Sequence, residues 1–379
     1  MDKNQSIIVA VCVIAVLAFA AYHFMGTTEE VEAPTDTGET TETPTEPSFV
    51  TVTDCLNRTV TIEKPIEKVM FIGKANSLTL SVAYLFETAP EKIYGLSESF
   101  AASHLFKAVD PNIEDKVLAG VADMGVEEIA ANEPDVVVLK SSLKASTGDS
   151  LESLGINVVY LDLENLETYT RDVITLGTIM GEEERAEEIV AYYSNTYNEV
   201  KARHTGADEP SVFFLYYSTK GGTVSFMSPG ADWLQTEVID VAGGDPLSSQ
   251  LAGTGWNTVN FEQIAEWNPD IVFIVTYTDN PSCEDVKETL MADELWQGIT
   301  AVQEGHIYDV PDDCFGTATV GSWDTSGSRW ILCLQWMETK INGGDEAALL
   351  ESIESFYVDL YGLSEADAQA LIAGIEGDL

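Results

Sequence analysis

The sequence predicts an α/β protein of two similar lobes, each with a central, mainly parallel sheet, joined by a long rigid helix with a ligand cleft between the lobes. Two observations support this prediction. From residue 69 onward, short apolar runs alternate with amphipathic helical stretches, which is typical of parallel strands covered by helices. In addition, one segment of the first half recurs in the second half at a constant offset of 135 residues.

The recurring segment reads EEIAANEPDVV at 127–137 and EQIAEWNPDIV at 262–272, with six of eleven positions identical. Each copy is predicted to form a short helix, a Pro-Asp turn and a buried strand. This connection is common in α/β proteins, which is the simpler explanation of the match. The number of identities nevertheless favours two lobes of similar construction.

The charge balance excludes several classes of protein. The 379 residues include 18 Lys and Arg against 64 Asp and Glu, giving a formal net charge of -46. A nucleic-acid-binding protein needs a basic surface, and adhesion to anionic lipid needs a polybasic stretch. Neither is present in the sequence, and the acid excess by itself is typical of a surface kept hydrated at high salt.

The first 25 residues form a targeting segment. Ile7 to Met25 are almost uniformly apolar, and a membrane span needs about 20 such residues. Lys3 before the run and acids after it place the N-terminus in the cytoplasm. Ala18-Phe19-Ala20 would also serve as a cleavage site, so residues 1–25 are either a membrane anchor or a signal peptide.

Residues 26–48 are rich in Thr, Glu and Pro, which predicts a disordered, self-repelling tether. The folded body is therefore expected outside the cell, held to the outer face of the cytoplasmic membrane. Only the N-terminal segment is expected to touch the membrane.

The body divides into three predicted parts. The N-terminal lobe, 49–165, opens with a hairpin that turns at Asn57-Arg58. Two connecting helices follow in 166–209, Leu166 to Met180 and Glu182 to His204, separated by Gly181. The C-terminal lobe, 210–379, ends in two helices broken at 362–364.

The cysteines and histidines predict no metal or cofactor. The sequence has no CxxC motif and its four histidines are scattered. An exported protein can form disulfides, and Cys283 and Cys314, both in predicted loops, are the candidate pair. Cys333 has helical spacing and is predicted to be a small core residue.

Motifs of enzymes are missing from the sequence. It contains no GxSxG elbow, P-loop, HExxH motif or GxGxxG after a strand. We therefore predict that the protein is not an enzyme. Two alternatives remain: a surface hydrolase or transferase using the same cleft, although no base is evident near Ser77 or Ser218, and a surface adhesion or sensor module.

Three segments resemble the extracellular substrate-binding proteins of ABC importers. They are VTVTDCLNRTVTIEKPIEKVMFIG at 50–73, the paired ExIAxxxPD segments, and SWDTSGSRWILCLQWM at 322–337. The subgroup with a helical backbone between its lobes carries ferric siderophores, haem, corrinoids and some metal oxyanions. The resemblance implies a protein that captures such a ligand outside the cell and delivers it to an ABC permease and its ATPase. The protein is expected to be a monomer. Cys55 and Ser328 depart from the usual pattern of the group.

Candidate ligand-binding residues are expected after the strands, because ligands of open α/β sheets lie beyond the carboxyl ends of strands. The set combines such residues with aromatic and basic side chains of the second lobe: Lys74, Asn76, Ser77, Lys140, Ser141, Tyr217, Lys220, Trp256, Tyr277, Trp323 and Arg329. Trp256 and Tyr277 suit either a stacking platform or the core.

The basic residues predict an anionic ligand, because so few exist in this acidic chain. Lys74, Lys140, Lys144 and Lys220 follow apolar strands, and Arg329 precedes a helix. A cluster of this kind suits carboxylate, phosphate or oxyanion groups. The ligand is therefore expected to be an anionic metal chelate or, alternatively, a small oxyanion such as molybdate or tungstate.

The resemblance also implies two docking points for the permease, Glu127 and Glu262. They occupy matching positions in the internal repeat, and a pseudo-symmetric permease needs two equivalent contacts. The alternative is that each is an ordinary solvated acid at a helix start, stabilised by the helix dipole.

Overall fold

Three β-sheets organise the part of the chain that the computed structural model describes, residues 48–204, 209–313 and 321–379. The predicted anchor, the tether as far as residue 47, and Cys314 lie outside these ranges. None of the helices within them is both long enough and apolar enough to cross a bilayer.

The strands and helices alternate through both halves of the described chain. The strands are β1 Ser48–Thr53, β2 Thr59–Lys64, β3 Val69–Phe71, β4 Val136–Lys140, β5 Val158–Leu161, β6 Ser211–Ser218, β7 Ser225–Pro229, β8 Asp245–Pro246, β9 Trp256–Val259, β10 Ile271–Val275 and β11 Ile307–Asp309. The α-helices are α1 Asn76–Ala83, α2 Ala89–Lys92, α3 Glu98–Ala102, α4 His104–Val109, α5 Val126–Ala131, α6 Asp149–Ser153, α7 Leu166–Met180, α8 Glu183–Arg203, α9 Leu234–Val241, α10 Phe261–Trp267, α11 Cys283–Ala292, α12 Thr300–Glu304, α13 Trp330–Asn342, α14 Glu346–Tyr361 and α15 Glu365–Ile372.

The first lobe contains the predicted hairpin and a purely parallel sheet. β1 pairs antiparallel with β2, with Val52 opposite Val60. The turn is held by Asp54, whose Oδ1 accepts the backbone N–H groups of Leu56 and Arg58 at 3.0 and 3.1 Å. The second sheet has the order β3-β4-β5, and both of its pairings are parallel.

The second lobe has a larger, mixed sheet. Its order is β11-β10-β6-β7-β9, with β8 beside β6. The pairings of β10 with β11 and β6, and of β6 with β8, are parallel, whereas β7 pairs antiparallel with both β6 and β9. The α/β class is confirmed, and the two lobes differ by this antiparallel extension.

The internal repeat is confirmed in three dimensions. The α5–β4 and α10–β10 units begin and end at equivalent positions, and the residue before each Pro, Glu133 and Asn268, has a left-handed backbone with φ of 49° and 44°. Asp135 Oδ2 accepts the backbone N–H of Lys68 at 2.8 Å, and Asp270 Oδ2 accepts that of Ser211 at 2.8 Å. Each Asp therefore anchors the start of the neighbouring parallel strand.

The connecting helices span both lobes. Gly181 ends α7 with a left-handed φ of 73°, a conformation that glycine adopts without steric cost. α7 packs against β1, while α8 packs against α7 and against α13 of the second lobe. The predicted helical connector is thus two adjacent helices.

One hydrophobic core runs through both lobes and under the connector. Tyr193 of α8 donates a hydrogen bond to the carbonyl of Ser328, and the Ser328 backbone N–H donates to Ser81 Oγ of α1 at 3.1 Å. Tyr361, at the end of α14, donates to the Ser81 carbonyl at 3.0 Å. The C-terminal helices therefore contact the first lobe, and large independent movement of the lobes would break this shared core.

Candidate functional site

A cavity of about 420 Å³ lies between the two lobes and is lined by residues from both. The first lobe contributes Ala75, Ser77, Leu78, Lys140 and Glu164, and the second contributes Trp233, Leu234, Gln235, Trp256, Tyr277, Thr325 and Ser326. Lys140 ends β4, and Tyr277 lies two residues beyond the end of β10. The cavity therefore adjoins the carboxyl ends of equivalent parallel strands, as expected for an open α/β sheet.

The charged side of the cavity belongs to the first lobe. Lys140 Nζ donates to Glu164 Oε1 and to the carbonyl of Asp162. The loop that carries Glu164 is held by buried Asp172, whose Oδ2 accepts the backbone N–H groups of Asp162 and Leu163 at 2.6 and 2.9 Å. Burial raises the pKa of Asp172, while these hydrogen bonds and the Arg171 guanidinium oppose the rise.

The second lobe supplies an aromatic wall. The Trp256 ring lies 5.0 Å from that of Trp233 at an interplanar angle of 73°, and 5.9 Å from that of Tyr277. Tyr216 of β6 packs beneath, 5.0 Å from both Trp256 and Tyr277. Aromatic pairs favour these tilted arrangements, and the half-buried rings offer flat apolar surface to a ligand.

A buried carboxylate positions this wall. Asp324 accepts hydrogen bonds from Tyr277 Oη, from Gln235 Nε2 at 3.2 Å and from Ser322 Oγ at 2.6 Å. Burial raises the pKa of Asp324, and the three donors limit the rise because they stabilise the ionised form. Burial and the Asp324 charge raise the pKa of Tyr277 well above that of a free phenol, so its hydroxyl remains protonated as a donor.

One hydrogen bond crosses the cavity from lobe to lobe. Trp233 Nε1 donates to Glu164 Oε2 at 2.9 Å. With both oxygens of Glu164 accepting, the Lys140–Glu164–Trp233 chain links the end of β4 to the start of α9.

Four of the predicted ligand-binding residues line the cavity: Ser77, Lys140, Trp256 and Tyr277. Ser141 lies beside it and donates to Asp162 Oδ1. Asn76 is buried, and its Nδ2 donates to the Phe71 carbonyl at 3.0 Å, so it supports the backbone. Lys74 and Lys220 are exposed and do not line the cavity.

Three other predicted residues do not line this cavity. Tyr217 is on the opposite face of β6 from the cavity, packed 5.9 Å from Phe226, because side chains alternate along a strand. Trp323 is fully buried in the shared core. Arg329 is also buried, with its Nε 3.1 Å from Asp313 Oδ2.

The predicted basic cluster is not assembled. Of its five members only Lys140 lines the cavity, and that side chain is paired with Glu164. Lys144 is paired with Asp149 on the surface of the first lobe. The described lining of the cavity therefore contains one cation and one carboxylate that neutralise each other, and the predicted anionic ligand has no dedicated cluster of positive charge there.

The sequence prediction missed Glu164, Trp233 and Gln235. Glu164 closely follows the VVYLDL strand and could have been found by the same strand-end rule that identified Lys140. Trp233 and Gln235 occupy the start of α9, which follows an antiparallel strand and a loop, so no pattern in the sequence distinguished them.

The two docking candidates occupy equivalent exposed positions. Glu127 and Glu262 are each the second residue of a short helix, α5 and α10, and each precedes by two residues a fully buried isoleucine, Ile129 and Ile264. Their side chains face solvent, one on each lobe.

Cys283 carries a free thiol, whose pKa burial raises to about 12. Its predicted partner, Cys314, lies outside the described residues, so the disulfide stays a prediction. Cys333 is buried in the core, as predicted. No group of three or more His, Cys, Asp or Glu side chains suited to a metal occurs within the described ranges.

Two α/β lobes that enclose a cavity and share a helical connector define a solute-binding protein of the two-lobed type. A family model described as periplasmic binding protein matches residues 98–314, more than half of the chain, and the chain belongs to that family. It is an extracytoplasmic substrate-binding protein of the kind that serves ABC importers.

Two proteins of known role are similar to this chain. The iron-uptake system-binding protein of Bacillus subtilis is 20% identical over 255 residues, which cover 67% of this chain and 77% of that protein. The vitamin B12-binding protein of Salmonella choleraesuis is 24% identical over 152 residues, 40% of this chain and 55% of that protein.

A solved structure shares the fold. The molybdate periplasmic binding protein MolA of Haemophilus influenzae, bound to molybdate, superposes with a TM-score of 0.65 at 16% identity. The superposition covers 83% of this chain and 98% of that protein.

Proposed function

We propose that this protein captures a metal chelate, such as a ferric siderophore, haem or a corrinoid, and delivers it to an ABC importer. The observation that carries the proposal is the cavity between the lobes, whose second-lobe wall includes the aromatic rings of Trp233, Trp256 and Tyr277. Aromatic faces suit the flat organic parts of such chelates, because they bury apolar area and stack. Relatives named for iron uptake and vitamin B12 binding support the same class.

A small oxyanion is the second candidate, supported by the shared fold of the molybdate-binding protein. An oxyanion is recognised by several convergent donors, preferably cationic. In the described cavity the one cation, Lys140, is already paired with Glu164. The balance of aromatic and polar lining therefore favours the chelate.

The loaded protein would then deliver its ligand to a permease and its ATPase. Glu127 and Glu262 would dock on basic residues of the permease, one on each lobe. Their support is structural equivalence: the same position in repeated helices and exposure to solvent. The N-terminal segment would hold the protein at the membrane, and no reaction is assigned to the cleft.

The test is direct identification of the ligand. Native mass spectrometry of protein purified from its own host should show an added mass with the isotope pattern of a metal chelate. Titration of the purified protein with ferric hydroxamates, haem, cyanocobalamin and molybdate, followed by tryptophan fluorescence, should give quenching through Trp233 and Trp256. Tight binding of molybdate alone would replace the chelate with the oxyanion.

A further inference from the structure

The side chain of Gln235 has an unused hydrogen-bond acceptor beside the cavity. Gln235 lines the cavity from the start of α9 and is only 5% exposed. Its Oε1 has no hydrogen-bond partner in the described structure. Among the residues that line this cavity, no other buried side-chain atom of the described chain shares that condition.

The orientation of the amide follows from its neighbour. Asp324 Oδ2 accepts from Gln235 Nε2 at 3.2 Å, and the same carboxylate accepts from Ser322 Oγ and Tyr277 Oη. A carboxylate that receives these donors requires the NH₂ end of the glutamine to face it. The carbonyl end is then directed away from Asp324.

An unpaired buried acceptor is costly, and native proteins normally satisfy such atoms. The two carboxylates of this region are already engaged: Glu164 accepts from Lys140 and Trp233, and Asp324 has three donors. Because Oε1 is itself buried in this structure, a ligand reaches it only with a small movement of the Gln235 side chain, and a ligand that supplies a donor would then give the atom a partner. A ligand made only of acceptor oxygens would leave Gln235 Oε1 without a partner.

We propose that Gln235 Oε1 is a specificity determinant that accepts a hydrogen bond from an N–H or O–H group of the bound chelate. This rests on the proposed function and narrows its ligand to chelates that carry an amide, hydroxamate N–H or hydroxyl donor. It disfavours molybdate and other oxyanions that offer acceptors alone.

The test compares matched probes on the full exported chain. Ferric acetohydroxamate carries N–H groups, and ferric N-methylacetohydroxamate differs by their methylation; cyanocobalamin supplies primary amides, and molybdate has no donor. Tryptophan quenching would be measured for wild type and for Gln235→Met, which keeps side-chain length but removes the acceptor. Gln303→Met is an exposed control outside the cavity.

The expected result is selective. Gln235→Met should lower the affinity for the donor-bearing probe that wild type binds by a factor of at least ten. It should lower the affinity for the N-methylated chelate by less than twofold. Gln303→Met should match wild type. Circular dichroism would verify that each variant is folded.

Two other results separate the possible failures. If wild type binds a chelate but Gln235→Met binds every probe as wild type does, or weakens the two hydroxamates equally, the role of Gln235 is wrong and the proposed function stands. The role of Gln235 is equally wrong if cyanocobalamin is the bound chelate and Gln235→Met leaves its affinity unchanged. If wild type binds no chelate, or molybdate alone, the proposed function fails and the inference fails with it.

Discussion

Trp233 Nε1 lies 2.9 Å from Glu164 Oε2, and this hydrogen bond joins the two lobes across the cavity. The contact joins residues 69 positions apart, on either side of the long helical connector. Because Glu164 also accepts from Lys140, one carboxylate couples the strand end of the first lobe to the aromatic wall of the second. Substitution of either side chain should therefore alter how the cleft closes.

Replacing Trp233 with Phe should loosen the cleft. The change keeps an aromatic ring but removes the indole donor to Glu164. A hydrogen bond between half-buried groups of this kind contributes about 1 kcal/mol, or about fivefold in the closed-to-open equilibrium. Amide hydrogen exchange should therefore quicken in the loop at 162–165, and ligand affinity should fall by a similar factor.

Trp267→Phe is the matched control, since Trp267 Nε1 donates to Gln250 Oε1 at 3.2 Å away from the cavity. It should leave both measurements unchanged. Equal exchange rates in wild type and Trp233→Phe would show that the bond does not hold the lobes together.

Replacing Arg329 with Ala should destabilise the fold. Arg329 and Asp313 are buried and form an ion pair, and Tyr357 Oη also donates to Asp313 Oδ2 at 2.6 Å. Removing one partner of a buried pair leaves an uncompensated charge, which costs about 3–5 kcal/mol. Chemical denaturation should show this loss in the free energy of unfolding.

The exposed Lys220 provides the comparison. Lys220→Ala should change the free energy of unfolding by less than about 0.5 kcal/mol. A fully stable Arg329→Ala variant with at least tenfold weaker ligand binding would instead restore Arg329 to the ligand site.

Replacing Asp309 with Asn should stabilise the protein at neutral pH. Burial and the nearby Asp378 carboxylate raise the pKa of Asp309 to about 6, against about 3.9 for an unfolded aspartate. The folded state therefore binds the proton more tightly, and wild-type stability should fall as pH rises from about 4 to about 6. Above that window the buried charge costs about 1–3 kcal/mol, which the asparagine avoids.

Denaturation at pH 4 and pH 8 at constant salt would measure this effect. The variant should gain at pH 8 and lose its advantage near pH 4, while the exposed Asp279→Asn should follow wild type at both. A difference that does not depend on pH would contradict the ionisation of Asp309 as its cause.

Reversing the charges of Glu127 and Glu262 together should abolish ligand uptake without changing ligand affinity. Both side chains are exposed and lie outside the cavity, so Lys at these positions should disturb only a surface contact. Uptake of labelled ligand in cells and affinity of the purified protein provide the two measurements. The control is the double charge reversal of Glu128 and Glu266, which are exposed acids on the same helices. Wild-type uptake by the variant with Glu127 and Glu262 reversed would end the docking proposal.

Peptide mapping without reduction should decide the predicted disulfide. A bond between Cys283 and Cys314 would close a loop of about 30 residues and add roughly 3–4 kcal/mol by the chain-entropy argument. The freshly exported protein should then yield a linked peptide pair. Recovery of both cysteines as alkylated thiols would refute the pairing and would agree with the free thiol at Cys283.

The sequence was sufficient for the features that depend on local pattern. The hairpin, the helices at Leu166–Met180 and Glu346–Tyr361, and the equivalent α5–β4 and α10–β10 units follow from periodicity, glycine stops and the repeated Pro-Asp turn. The strand-end rule also located Ser77 and Lys140 at the cavity, because ligand sites of open α/β sheets lie beyond the carboxyl ends of their parallel strands.

Only the tertiary structure decided which of the remaining side chains meet. Tyr216 and not Tyr217 supports the cavity, because the face of β6 that is turned toward it is set by pairing with distant strands. Arg329 is paired with Asp313 in the interior, and Lys140 is neutralised by Glu164, contacts that no local pattern encodes. Trp233 and Gln235 reach the site because the antiparallel extension β7 brings the start of α9 to the cleft. The sequence alone therefore determined the lobes and the edge at which the site lies, whereas long-range packing determined the chemistry of the site, since burial and charge pairing depend on residues far apart in the chain.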